Sequence, residues 1–206
     1  RLISQHWAET TYPDETNYDL AGRQIPDRWF AEFYRDVIKD LDQSAILLDG
    51  EKATMTDAVY NNKLAVIEIL EVFSYYHLVT TFGNIPYSEA LNIDITQPTY
   101  DDAATVYNDL LIRLDAALAK LDNSAEGFGS ADLILEGDMD KWEMFANSLK
   151  FRMGMLIADS DPDKASTIVL AAAPNVVSSN GENLMINFLT APPNTNPIWE
   201  DLVQSG

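Results

Sequence analysis

The sequence predicts a mainly α-helical fold of stacked antiparallel helix pairs joined by long irregular loops. Apolar residues recur at spacings of three and four along five separate segments. Several of these segments are apolar on two faces, as helices sandwiched between neighbours are. Strand-like composition is confined to one short run, "NLMINFL". Helix pairs of this kind resemble helical-repeat proteins, although no strict sequence period runs through the chain.

The first helix is read over residues 29–48, where Phe30, Phe33, Tyr34, Val37, Ile38, Leu41, Ala45 and Leu48 line one face. Pro26 and Asp27 ahead of it supply a turn and a cap. The second, 61–82, carries Leu64, Ile67, Leu70 and Tyr75 on one face and Ile69, Phe73, Tyr76 and Val79 on another. It ends at "FGNIPYSEAL", where Gly83 can close a helix in the left-handed conformation and Pro86 prevents its continuation. Ile85 and Tyr87 are then expected to pack back on the helix ends, so the turn reads as structural. A third helix opens with Thr99 three residues before Asp102, an acidic variant of the capping box, and carries Val106, Leu110, Leu114, Ala117 and Leu121. The fourth, "DKWEMFANSLKFRMGMLIAD", is striped by Trp142, Phe145, Ala146, Leu149, Met153 and Leu156. A short fifth starts on Asp161 and Pro162 and is bounded by Pro174. "NLMINFL" then reads as a brief strand and "TAPPNTNPIW" as a proline-rich loop. The polar connection 123–140 is long for a compact domain and marks a functional or inserted loop.

With 206 residues, 47% of them hydrophobic, the chain can build a sizeable core. A net charge of −20 repels phosphate backbones and anionic lipid heads, so no nucleic-acid partner is expected. The longest apolar run, 64–79, is interrupted by Glu68 and Glu71, and no membrane span is expected. The chain has no cysteine, which excludes disulfides and thiolate chemistry. "DSDPD" starts like a calcium loop but has Lys164 at the sixth position and Leu170 at the twelfth, so Asp161 reads as a helix cap. His6 and His77 are isolated, with His77 read as a packed or rim residue, so no metal and no cofactor are expected. No nucleophile elbow, phosphate loop or dinucleotide fingerprint is present, and nothing argues for an enzyme.

The informative residues are aromatic rings outside the helical stripes. Trp7, Tyr12 and Tyr18 lie in a polar, turn-rich segment beside Glu, Asp, Asn and Arg, with Trp29 and Trp199 as further ligand-binding candidates. Exposed flat rings beside hydrogen-bonding side chains are what carbohydrate recognition uses: the axial C–H faces of a sugar pack on the ring and its hydroxyls take the polar partners. The alternative is that each ring plugs the helical core from its loop.

Four stretches, "WAETTYPDETNY", "YYHLVTTFGNIPYSEAL", "QPTYDDAATVYNDLLIRLDAAL" and "GDMDKWEMFANSLKFRMGML", with "DPDKA" and "SSNGENLMINF" following in order, resemble the SusD/RagB-like proteins. These are cell-surface nutrient-binding lipoproteins of bacterial polysaccharide-utilisation systems. The resemblance implies a tetratricopeptide-like helical fold, with residues 1–206 forming a single SusD-like domain that is the amino-terminal part of a longer protein. It implies no enzyme activity but capture of an oligosaccharide, or in some members a peptide, for a SusC-like TonB-dependent transporter at the outer membrane. Membrane contact would run only through a lipid anchor outside this sequence. Some relatives hold structural calcium, which no motif here supports. A tetratricopeptide-type adaptor that binds a protein segment is the alternative from a different functional class.

Overall fold

A computed structural model describes residues 4–192 and 195–204, except for the side chains of Asp201 and Gln204. The chain is mainly helical and falls into two compact units, residues 1–56 with 64–117, and residues 57–63 with 118–206.

In the first unit, α1 (Ile25–Glu32) passes through a π-helical stretch (Phe33–Ile38) into α2 (Lys39–Glu51) without leaving helical dihedrals. α1 begins earlier than the periodicity predicts. Gln24, in the left-handed conformation, precedes it, and Pro26 and Asp27 lie inside its first turn, so Asp27 is not the cap. Pro26 fits there because the first turn has no use for its missing N–H. The one-residue insertion of the π stretch keeps Ile38 in the core, 1% exposed, although Val37 beside it stays outside.

α3 (Asp57–Phe82) is buried nearly all round: Ala65, Val66, Ile67, Ile69, Val72, Leu78 and Val79 are all in the core. Among the described residues it is the one helix long and apolar enough to cross a membrane, so Glu68 and Glu71 do not break up the run as expected. Both carboxylates are ion-paired to Arg113, and more than half of the apolar window is buried inside the protein, as in a core helix. α4 (Ala103–Leu118) buries Val106, Leu110, Leu114 and Ala117, each close to fully, at the predicted spacing. Fully burying a leucine or valine contributes about 1.5–3 kcal/mol, so this stripe fixes the face that α4 turns inward. Its cap is Asp102, whose Oδ1 accepts from Thr105 N at 2.9 Å. Thr99 is not the cap: its N–H donates to Glu89 instead.

Between α3 and α4 the chain forms a two-stranded antiparallel ribbon, β1 (Ile85–Pro86) with β2 (Tyr100–Asp101), in the register Ile85 to Asp101 and Pro86 to Tyr100. Gly83 closes α3 at φ +77°, its N–H donating to Val79 O, and Ile85 is fully buried.

In the second unit, α5 (Met139–Leu156) packs on α6 (Pro162–Ala172). Gly154 permits the approach, because a Cβ there would lie 2.8 Å from Ile168 Cγ2. The side chains of Asp138 and Asp161 cap the two helices, Asp161 in the role read from the sequence. Among the described residues "NLMINFL" forms no strand: its one ladder contact there is an isolated bridge from Leu189 to Thr195. A β-prone run with no neighbouring strand has nothing to satisfy its backbone as a ladder. The expected proline-rich loop runs into a three-residue helix, α7 (Pro197–Trp199); Pro193 and Asn194 of that loop lie outside the described residues.

Candidate functional site

The segment 4–24 has no helix or strand, yet it is tied together by its own polar groups. Gln5 Nε2 donates to Thr16 O at 2.7 Å, and Thr16 Oγ1 accepts from Glu9 N. Asn17 N and Asp19 N donate to Pro13 O and Asp14 O, each at 2.8 Å. Asp19 Oδ1 in turn accepts from Ala21 N and Gly22 N. Glu15 is buried at 7% exposure and pairs with Arg23 at 3.1 Å. Three non-glycine residues, Gln5, Tyr18 and Gln24, sit at φ between 53° and 60°, a conformation that costs about 1–2 kcal/mol each. Such strain persists only where surrounding bonds over-determine it, and it concentrates at functional loops.

On this scaffold Trp7, Tyr12 and Tyr18 face solvent, with exposures of 48%, 66% and 60%. They do not plug the helical core. The Arg23 guanidinium, already fixed by Glu15, lies over the Tyr12 ring at 5.9 Å and holds it at low entropic cost. Trp29 is different: it belongs to α1 and packs against Phe33 and Phe82, with ring centroids 5.5 and 6.2 Å away. Trp199 is exposed at the end of α7, in the second unit. The structure therefore carries three of the five predicted residues on one loop, places the fourth in a helix-borne aromatic seam and the fifth in the other unit.

The turn after α3 is held by a half-buried polar network. Tyr87 donates its hydroxyl to Asp109, and Arg113 Nη1 donates to Tyr87 Oη at 2.9 Å. Arg113 also binds Glu68 and Glu71, and Tyr75 stacks edge-on to Tyr87 at 4.8 Å. Burial pushes the Glu71 carboxyl up, against the pull of Arg113 and with the repulsion of Glu68. Burial and the bond to Asp109 push Tyr87 up, so its hydroxyl stays protonated. These groups satisfy one another, and the turn's conformation needs no ligand. His77 packs between Phe73 and Tyr76, as expected of a packed residue. Among the described residues no group of three or more His, Asp or Glu side chains is placed to hold a metal.

Sequence reasoning passed over Tyr100, which is 60% exposed on β2. The signal was its position outside the α4 stripe, directly after the polar run Thr96, Gln97, Pro98 and Thr99.

The chain is a mainly α-helical protein that carries three exposed aromatic rings on one ordered loop. The chain belongs to the SusD-like family, described as starch-binding and associating with the outer membrane, whose family model matches residues 1–205. Among solved structures it is similar to a chitin-binding protein, at 26% identity and a TM-score of 0.72, covering 89% of this chain and 39% of that one. It is also similar to a chitin-binding SusD homologue from Flavobacterium johnsoniae, at 26% identity and a TM-score of 0.63, covering 82% of this chain and 36% of that one. A SusD homologue from Parabacteroides distasonis shares the fold at 23% identity, with a TM-score of 0.69, 87% of this chain and 36% of that one covered. The chain thus spans less than half the length of these relatives. No curated protein sequence matches it.

Proposed function

We propose that this chain is the glycan-recognising part of a cell-surface lipoprotein at the outer membrane, which captures oligosaccharides and delivers them to a SusC-like TonB-dependent transporter. It binds and does not catalyse. The observation that carries the reading is the loop 4–24, which spends hydrogen bonds and backbone strain to hold Trp7, Tyr12 and Tyr18 in solvent. Exposing three large rings forgoes the burial that would stabilise the fold, and a stacked sugar face supplies it instead. Family membership and the chitin-binding relatives support a carbohydrate ligand.

Glycan-array binding followed by calorimetry on chito- and malto-oligosaccharides tests this. Saturable binding of at least one series is expected; affinity for peptides with none for any oligosaccharide would overturn it. Transporter delivery is tested by co-purification of the full-length lipoprotein with a TonB-dependent barrel from outer membranes, and its absence would remove that part of the reading. We further infer that the two compact units belong to one SusD-like domain. A calorimetric enthalpy equal to the van't Hoff enthalpy is the expected result, and two separate transitions would contradict it.

A further inference from the structure

A second ring is presented to solvent in the first unit, on a platform unrelated to the loop 4–24. Tyr100 lies in β2, whose pairing with β1 fixes its backbone. The neighbouring Asp101 carboxylate accepts from Tyr87 N at 2.9 Å and from Ser88 N at 2.8 Å, and Ser88 Oγ adds a third donor. Those bonds hold Asp101 below the usual carboxylate range and keep the ribbon locked. The β1 side is pinned as well, because Tyr34 Oη donates to Pro86 O. A large ring that is 60% exposed is therefore carried on rigid backbone, so ordering it against a ligand costs little.

Beside Tyr100 lies a cleft of about 390 Å³, lined by Pro26, Asp27, Phe30, Phe82, Asn84 and Tyr100. Its volume falls in the range of small-ligand sites, roughly 300–1,000 Å³. Phe30 and Phe82 pack edge to face at 5.2 Å and form its apolar wall, with Trp29 next to Phe82. Two polar groups stand among these rings. Asp27 offers a carboxylate from the first turn of α1. Asn84 has its Oδ1 committed to Ala103 N at 3.0 Å, which fixes the amide and leaves its Nδ2 as the donor it can give a ligand. An aromatic platform, an apolar wall, one acceptor and one donor are complementary to a pyranose: one C–H face for the ring, hydroxyls for Asp27 and Asn84.

We propose that this cleft is a separate sugar-binding subsite, taking one pyranose residue of an oligosaccharide on Tyr100 with its hydroxyls on Asp27 and Asn84. The inference rests on the glycan reading above but on different residues from the loop 4–24. The larger depression of the second unit, about 700 Å³ and bordered by Asn61, Lys120, Asp122 and Glu143, has no aromatic lining and offers a sugar no stacking face.

Calorimetry with chitohexaose and maltoheptaose on the full chain tests it, comparing wild type with Tyr100→Ala, Tyr100→Phe, Asn84→Asp and the triple variant W7A/Y12A/Y18A. Asn84→Asp keeps an acceptor for Ala103 N while replacing the amide donor with a carboxylate oxygen, which adds a negative charge to the cleft. The expected result is about a tenfold loss for Tyr100→Ala, a smaller loss for Asn84→Asp and near wild-type affinity for Tyr100→Phe. Residual binding of the triple variant should disappear when Tyr100→Ala is added. If wild type binds and the triple variant loses affinity while Tyr100→Ala and Asn84→Asp are unchanged, the cleft is overturned and the loop reading stands. No binding of either sugar by wild type overturns both. Should Tyr100→Ala fail to fold, unchanged affinity in Asn84→Asp alone overturns the assignment of the amide and with it the subsite.

Discussion

Two loops of this protein look alike in composition and behave oppositely. The segment 4–24 and the connection 119–138 are both polar, turn-rich and without long regular elements. The connection is organised from inside by buried polar side chains. Asn62, fully buried, donates its amide to the carbonyls of Asp122, Ala125 and Glu126 and accepts from Asp122 N. Asp132, 8% exposed, accepts from Ile134 N, Leu135 N, Gly137 N and, at 2.6 Å, Trp142 Nε1. The segment 4–24 pairs Glu15, itself 7% exposed, with half-exposed Arg23, and turns its rings outward. In the connection the hub's aromatic partner, Trp142, is core; in the segment 4–24 Trp7, Tyr12 and Tyr18 stay exposed. What separates the two loops is where their aromatic rings lie, not their composition.

The contrast is broken most severely at Asp132. Asp132→Ala strands the indole N–H and backbone donors around a buried tryptophan, and a loss of about 3 kcal/mol in urea unfolding is expected. The same residue sets a pH dependence. Burial disfavours its charge, but the bonds from Leu135, Trp142, Ile134 and Gly137 outweigh burial and hold the carboxyl below the usual range. A folded value below the unfolded one gives stability that is complete above the unfolded value near 4 and is lost as pH falls through the folded one. Asp132→Asn should flatten that acid limb, and an unchanged limb would show that the carboxylate is not the hub. Next in size, Asn62→Ala should cost about 2 kcal/mol and expose the 119–138 connection to limited proteolysis. Glu15→Ala, which leaves half-exposed Arg23 to be solvated by water, should cost about 1 kcal/mol while admitting protease cleavage within 4–24. Smallest is the triple variant W7A/Y12A/Y18A, whose melting temperature should stay close to wild type, since surface substitutions stay within about 0.5 kcal/mol each. A large drop in melting temperature would mean that those rings are structural after all.

Much of this was legible in the sequence because burial follows period. The stripe Val106, Leu110, Leu114 and Ala117, the cap at Asp161 and the helix stop at Gly83 each follow from local chemistry, and each stands where it was read. What failed depended on distant partners. Asp102 rather than Thr99 caps α4, because the helix starts at Ala103 and Asp102 Oδ1 accepts from Thr105 N, while the Thr99 N–H goes to Glu89, ten residues away. "NLMINFL" has the composition of a strand, but pairing is a property of two segments. Glu68 and Glu71 read as breaks in an apolar run until Arg113, more than forty residues on, supplies their partner. The exposure of Trp7, Tyr12 and Tyr18 was legible only as a lack of periodicity, and Tyr100 was hidden because its ribbon has strands of two residues.

The central claim is that the rings of loop 4–24 are held outward to bind a glycan. Calorimetric titration of chitohexaose and maltoheptaose into wild type and into W7A/Y12A/Y18A, at matched melting temperatures, tests it most directly. The account gives wild type saturable binding of at least one sugar and the triple variant an affinity lower by about a hundredfold or more, each ring contributing roughly 1 kcal/mol. Equal affinity in the two proteins, or no binding of any oligosaccharide by wild type, would contradict it.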